Sequence, residues 1–448
     1  TSYVRINLHG FRSGRSCEHA LLNAQHTVLD TLNNKKVALL LLIDYSKAFD
    51  LVEHTVILNK LYHYGIRGKA HEWFKSYLGN RKQFVHANGV DSQTRDLEYG
   101  VPQGSILGPL LFILYINDLP NISKLAKFIL YADDANIFIT GDSVNEVMAT
   151  LNELSPILVS WVSLNGLKLN LKKTNFMIFS RNKKRHQNIP EVIIDGTVIE
   201  QKTEARFLGV IIDDKLSWSA HINAVRRKMT RYTGIMYRLK NQLPVKVRLQ
   251  IYHSFVQCHL NYCSTVWGFS SKSLLDSLFR AQKRGIRAVM PGFVRYFYTD
   301  GEYPSHTKSC FNEYKIPTIY NLIFINSTLM MHRIFWLPST LPPSIHNLIS
   351  PQAPIVDDTM NDDISQWQKI YSGVVYQKSL SYKGPLLYLH KNQPKIDQKR
   401  FNNIKILRKA IKRSVIESQS SGDTHEWIPE NNLLHNIKGL RSSRRINQ

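Results

Sequence analysis

An unbroken apolar run, Val37–Ile43, ends abruptly on Asp44. Apolar residues without alternation suit a strand covered on both faces or a piece of buried helix. Asn33-Asn-Lys-Lys36 breaks the pattern just before it, so a central strand is predicted. Upstream, Leu21, Ala24, Val28 and Leu32 keep helical spacing, and Ser16 stands where an N-cap belongs. Downstream, Val56, Leu58, Leu61 and Tyr62 predict a helix that stops near Gly65. Trp73, Phe74 and Tyr77 predict a second, ending at Gly79-Asn80.

Gly100-Val-Pro-Gln-Gly-Ser105 reads as a loop that leads through Gly108-Pro109 into a buried helix over 107–119. Two β-prone runs, 128–131 and 136–139, flank Asp133-Asp134 and outline a hairpin. A helix is predicted over 146–164, and strands at 176–179, 192–194 and 207–212, with a basic polar gap over 180–188. Beyond Trp218, Ile222, Val225, Met229, Tyr232, Met236 and Leu239 recur at helical spacing, while Arg226, Arg227, Lys228 and Arg231 occupy other faces. Residues 247–267 read as one apolar helix. Past about residue 300 the pattern is mixed, and 399–445 is strongly basic.

Charge then changes the picture. The formal net charge of +24 makes a self-repelling surface, and nucleic acid is the expected neutralising partner. An anionic membrane is the weaker alternative, because no apolar run approaches the roughly 20 residues that span a bilayer. No membrane partner is therefore expected. Cys17, Cys258, Cys263 and Cys310 are too scattered for a disulfide framework, so a reducing location in nucleus and cytoplasm is expected. Cys258 and Cys263 lie near His253 and His259, but the spacing fits no zinc module, and buried thiols are the plainer expectation.

Candidate chemistry rests on carboxylates. Asp133-Asp134 in a turn between apolar strands sets like charges at the edge of a low-dielectric core. Taken alone, such a turn is ordinary loop chemistry. With Asp44 ending a neighbouring strand, three hard oxygen donors would converge and suit Mg²⁺, with Mn²⁺ as a substitute.

Five segments in order carry a resemblance: Ile43-Asp-Tyr-Ser-Lys-Ala-Phe-Asp50, Gly100-Val-Pro-Gln-Gly-Ser105, Tyr131-Ala-Asp-Asp134, Gly166-Leu-Lys-Leu-Asn-Leu-Lys-Lys-Thr174 and Phe207-Leu-Gly209. They resemble the successive palm motifs of reverse transcriptases. The wording is most similar to that of non-long-terminal-repeat retrotransposons, the jockey-like and long-interspersed-element group. His9-Gly-Phe-Arg12 resembles the fingers motif just upstream.

The resemblance implies an α+β right-hand polymerase palm, an antiparallel sheet with helices, plus partial fingers over 1–213. A helical thumb over 214–295 and a C-terminal region of unassigned role over 296–448 would follow. It implies Asp44, Asp133 and Asp134 as catalytic metal ligands, with Asp134 the least direct. Phe49 would lie under the sugar of the incoming nucleotide and exclude a 2′-hydroxyl. Gln103 and Gly104 would line the nucleotide site, Arg12 and Arg15 would reach phosphates, and Lys173 would stand by the triphosphate, with Lys172 its rival. Phe207, Leu208 and Gly209 would grip the primer end. Arg226, Arg227 and Arg231 would face the primer–template backbone. The implied partners are an RNA template, a DNA primer or target and dNTPs. Further fingers strands and an endonuclease are expected from sequence outside this chain. The competing expectations are a group II intron-type reverse transcriptase and a non-catalytic nucleic-acid-binding remnant.

Overall fold

A computed structural model describes residues 8–181, 189–290, 307–346 and 404–421. The chain forms two compact units, one running to Gly209 and taking back residues from Pro342, the other starting at Val210. The expected basic gap at 182–188 lies outside the described residues, as do 347–403 and 422–448 of the C-terminal region.

The first unit is built on a central strand, β1 (Val37–Ile43), with all seven residues buried. Helix α1 (Cys17–Asn33) precedes it, and the Ser16 hydroxyl accepts from His19 N at 3.3 Å, as the cap pattern predicts. Helices α2 (His54–His63) and α3 (Lys69–Leu78) follow β1. Between α3 and the next long helix the chain makes four two-residue strands, β2 (Lys82–Gln83), β3 (His86–Ala87), β4 (Val90–Asp91) and β5 (Arg95–Asp96). They pair β2 with β5 and β3 with β4 around Asn88-Gly89, both at positive φ, the geometry of a primed hairpin turn. Every one of these strand residues is exposed. The hydropathy pattern did not predict this hairpin, because it buries nothing.

Helix α4 (Leu107–Tyr115) leads to β6 (Ala126–Tyr131), β7 (Asp134–Gly141), α5 (Val144–Leu164) and β8 (Asn175–Phe179). Three strands close the unit: β9 (Val192–Ile194), β10 (Thr197–Gln201) and β11 (Glu204–Phe207). The main sheet runs β6-β7-β1-β8-β10-β9. Its pairs are antiparallel except where Glu200 and Gln201 of β10 run parallel beside Asn175 and Phe176 of β8. The sheet is thus mixed, not antiparallel throughout. Strand β9 runs antiparallel to β10, so β10 lies between β9 and β8 and runs in the same direction as β8.

One face of the sheet packs Leu39, Leu41, Ile137 and Ile139 against Val147, Met148 and Leu151 of α5 and Leu111 and Tyr115 of α4. This explains a departure from expectation: α5 is long and apolar enough, by length and composition, to cross a bilayer. Its apolar stripe is instead a sheet-facing core surface.

The expected strand at 207–212 is broken. Leu208 and Gly209 both take positive φ, so β11 ends in a tight turn and β12 (Val210–Asp213) opens the second unit. There α6 (Ser219–Arg238) follows, with the Asp213 carboxylate accepting from Lys215 N, Ser217 N and Trp218 N at 3.1, 2.9 and 2.8 Å. The expected helix at 247–267 is also divided. It comprises α7 (Val245–Tyr252), a π-helical segment, α8 (Cys258–Asn261) and α9 (Ser264–Trp267), with a break where Cys263 takes φ +51°. Cys263 is buried but Cys258 is exposed, so the expectation of two buried thiols fails for Cys258. Helix α10 (Lys272–Val289) packs along α6, and α11 (Lys308–Glu313) and α12 (Ile319–Trp336) extend the bundle. Buried Gln282 holds it together: its amide donates to Pro317 O and Tyr252 Oη, and its carbonyl accepts from Ile319 N. A short α13 (Pro343–His346) belongs to the first unit. In α14 (Ile404–Ser421), Leu407, Ile411 and Val415 form a buried stripe that adds to the second unit a helix the mixed pattern past residue 300 concealed.

Candidate active site

The site begins with strand register. Ile43 of β1 pairs with Ala135 of β7, and Tyr131 pairs with Asp134 across the β6–β7 turn. One step beyond Ile43, Asp44 leaves the strand at the end where Asp134 begins β7, close enough for its charge to act on Asp134. Ala132 takes φ +52°, which folds the turn tightly enough to present Asp133 and Asp134 at that same end. Partial burial, then the charges of Asp133 and Asp44, push the Asp134 carboxyl up to about 6, although the residue also reaches solvent. The three acids therefore share one electrostatic environment.

Among the described residues, no three His, Cys, Asp or Glu side chains form a ready-made metal cage. That absence and the mutual repulsion at Asp134 bear on different questions. Mg²⁺ takes only one or two protein carboxylates and completes its shell with water and phosphate, so an open cluster of hard oxygens suits it without a closed cage. The residues present fit such an ion.

Asp44 is fixed from behind by the segment that follows α5. Its carbonyl accepts from Asn170 N at 2.8 Å, its own N–H faces Thr174 Oγ1 at 3.4 Å, and Ser46 N donates to Lys168 O at 2.9 Å. This places Lys173 Nζ 3.8 Å from Asp44 Oδ2, with 71% of its side chain exposed. So exposed an ion pair adds little stability and leaves the ammonium free to swing.

Phe49 stacks on buried Phe112 at 4.4 Å between centroids and 28° between planes. The loop after Tyr99 docks on the same turn: Gly100 N donates to Val52 O, and Val101 N to Phe49 O. Gly100 takes φ +88°, and a Cβ there would lie 3.2 Å from Asp50 O. Gln103 Nε2 donates to Asp50 Oδ1 at 2.6 Å, so its amide is already engaged inside the protein. Gly104, at φ +79°, has open space where a Cβ would point. Lys47, Asp50, His54, Arg81, Tyr99 and Gln103 contribute to a cleft of about 510 Å³ beside this loop.

The His9-Gly-Phe-Arg12 loop lies on the carboxylate turn. Leu8 bridges Leu130, and His9 N donates to Leu130 O at 2.8 Å. Gly10 lies so close to Ala132 that a side chain has no room. Arg12 Nη1 donates to Leu8 O at 3.2 Å, and burial lowers the pKa of both Arg12 and Arg15, the latter to about 10. His9 is buried with neither ring nitrogen hydrogen-bonded. Burial, followed by the charges of Arg15, His19, Arg12 and Lys127, pushes it down to about 3.

Phe207 is buried, so its ring serves packing and only the Leu208-Gly209 turn is open to a ligand. Arg226, Arg227 and Arg231 are exposed on α6. Within the second unit, Arg226 and Arg227 share a groove of about 350 Å³ with Thr230, Ser277, Arg280 and Arg284, and no acidic residue lines it. The sequence reading missed Arg280 and Arg284, although their spacing of four on α10 marks one helix face. It also missed the packing role of Gly10 and the Asp50–Gln103 bond, which only tertiary contact creates.

Residues 3–212 match the family model described as reverse transcriptase (RNA-dependent DNA polymerase). The matched segment resembles a reverse transcriptase domain, and the chain shares distant homology with RNA-directed DNA polymerases of non-long-terminal-repeat retrotransposons. The chain is 28% identical over 305 residues to the RNA-directed DNA polymerase from transposon BS of Drosophila melanogaster, covering 64% of this chain and 33% of that protein. It is 28% identical over 298 residues to that of mobile element jockey of Drosophila funebris, covering 64% and 32%. To that of the X-element of Drosophila melanogaster it is 25% identical, covering 62% and 31%. The chain thus spans about a third of the length of these relatives. Among solved structures, telomerase from Candida albicans with a fragment of telomeric RNA aligns at TM-score 0.38 and 14% identity, covering 72% of this chain and 48% of that one.

Proposed function

We propose that the chain is the polymerase part of a non-long-terminal-repeat retrotransposon reverse transcriptase, acting on an RNA template, a DNA primer and dNTPs. The observation that carries this reading is the register Ile43–Ala135, which sets Asp44 beside Asp133 and Asp134 at one sheet end. Those three carboxylates would hold Mg²⁺ or Mn²⁺. The chemistry the ion supplies when bound is acidification of the primer 3′-hydroxyl and stabilisation of pyrophosphate charge.

The reaction is attack of the primer 3′-oxygen on the α-phosphorus of a dNTP, with pyrophosphate leaving. Lys173, held near Asp44, supplies a proton to that leaving group, and its exposure allows the reach. Phe49 lies under the sugar and excludes a 2′-hydroxyl. Gln103, oriented by Asp50, and Gly104 border the nucleotide, and Arg12 reaches its phosphates. The Leu208-Gly209 turn meets the primer end. In the second unit, which takes the part of a helical thumb, Arg226, Arg227 and Arg231 meet backbone phosphates. The enzyme works in a reducing nucleus or cytoplasm, with an endonuclease supplied by sequence beyond this chain.

One observation favours a second reading. A groove that gathers Arg226, Arg227, Arg280 and Arg284 would let the chain bind nucleic acid without catalysis. Primer extension on poly(rA)/oligo(dT) with Mg²⁺, comparing the chain with its Asp133→Ala, Asp134→Ala variant, separates the two. Extension by the unaltered chain alone supports the enzyme; extension by both, or by neither, sinks it.

A further inference from the structure

Phe11 departs from two norms at once. It is 57% exposed, and it holds φ +53°, a left-handed backbone that a bulky residue adopts only when its surroundings force it. The forcing contacts are visible. Gly10 is pressed against Ala132, His9 N is bonded to Leu130 O, and Arg12 turns back to Leu8 O. Between these anchors the Phe11 ring lies toward Phe49.

The two rings meet edge to face, with centroids 6.3 Å apart and planes at 86°. Phe49 is held from its other side by the Phe112 stack, so it cannot turn to follow. Phe11, Phe49 and Phe112 thus form a fixed aromatic corner beside the carboxylate turn, with much of the Phe11 ring left in water. What sets Phe11 apart from an ordinary exposed side chain is this contact: its open face adjoins the ring proposed to lie under the sugar.

We propose that Phe11 is a second wall of the sugar pocket and a specificity-determining residue for deoxynucleoside triphosphates; this rests on the reading of Phe49 as the sugar gate. The corner accepts the C–H edge of a deoxyribose. A 2′-hydroxyl placed there meets two rings that offer no hydrogen-bond partner, so it is both crowded and stripped of water. Phe49 alone presents one surface, past which a ribose can tilt; the perpendicular Phe11 ring closes that direction.

The test uses the full chain bound to poly(rA) and an oligo(dT) ended by a dideoxynucleotide, with Mg²⁺. The ratio of UTP to dUTP dissociation constants is read by competition against labelled dTTP. Phe11→Ala lowers the ratio by about tenfold or more, the scale of a lost pocket contact, and Phe11→Tyr keeps it near the unaltered value. Phe11→Gly, which suits the left-handed backbone, matches Phe11→Ala if the ring is what matters. The inference is overturned if Phe11→Ala or Phe11→Gly leaves the ratio within about twofold while Phe49→Ala collapses it. If Phe49→Ala also leaves it unchanged, or the unaltered chain binds no nucleotide, the gate reading fails and takes this one with it.

Discussion

Gly10 and Ala132 meet backbone to backbone: a Cβ on Gly10 would stand 2.4 Å from the Ala132 nitrogen and 3.1 Å from the Tyr131 carbonyl carbon. No side chain occupies that space, because backbone cannot give way as a flexible side-chain tip can. The loop from Leu8 to Arg12 and the turn bearing Asp133 and Asp134 are therefore one rigid object.

Gly10→Ala must push these two segments apart. Overpacking of this kind costs about 1–3 kcal/mol. Displacing the acids by about 1 Å should cost turnover more than stability, on the order of a hundredfold. Urea unfolding and primer extension, measured on the same preparation, check the pairing. Lost stability with full activity would uncouple the loop from the turn.

Asp134→Asn separates the electrostatic role of the cluster from its fold. The folded carboxyl titrates near 6 instead of 3.8, so the stability linked to it is fully present below pH 3.8 and is lost as pH rises through 6. Without divalent metal, the variant should be slightly more stable than the unaltered chain at pH 7, by less than about 1 kcal/mol given its exposure. The difference should vanish near pH 4. Added Mg²⁺ should raise the melting temperature of the unaltered chain more than that of the variant.

His9 works in the opposite direction. Its folded value near 3 lies below the ordinary 6.5, so its contribution is complete above pH 6.5 and falls away on acidification toward 3. In that window each pH unit costs about 1.4 kcal/mol per proton taken up on unfolding. Replacing His9 with Phe should flatten the acid limb of a melting-temperature profile between pH 6 and 4. An unchanged slope would mean that other groups carry it.

Arg280→Ala with Arg284→Ala removes half of the arginines in the second unit's groove. If both meet phosphates, the slope of log affinity against log salt for an RNA–DNA hybrid should fall by about one to two. Base composition should not alter the effect, since the groove's side chains are suited to backbone more than to bases. A slope unchanged within error would make them solvated surface charge.

How much of this was legible in the sequence depends on what each feature buries. The strand Val37–Ile43 could be read because both its faces are covered, leaving no polar alternation. The Asp133-Asp134 hairpin could be read because its flanks are short and β-prone. The parallel entry of β10 was hidden, since nothing in Thr197–Gln201 specifies which end of the sheet it joins. The break at Cys263 was hidden because apolar residues continue through it. At the candidate site, residue types and order were legible, but the docking of Gly10 on Ala132 joins positions over a hundred residues apart and leaves no local trace. Gln103 was expected to line the nucleotide site; its bond to Asp50, which orients the amide, could not be read from the sequence.

The solvent-exposed ladder from Lys82 to Asp96 has its own consequence. Lys82–Asp96 and His86–Asp91 are its charged contacts, both open to water, and no core residue depends on its tip. Asn88-Gly89 is accordingly where a protease should cut first and where an inserted epitope or fluorophore should cost least. It offers a handle for watching the molecule at work without touching the machinery it carries.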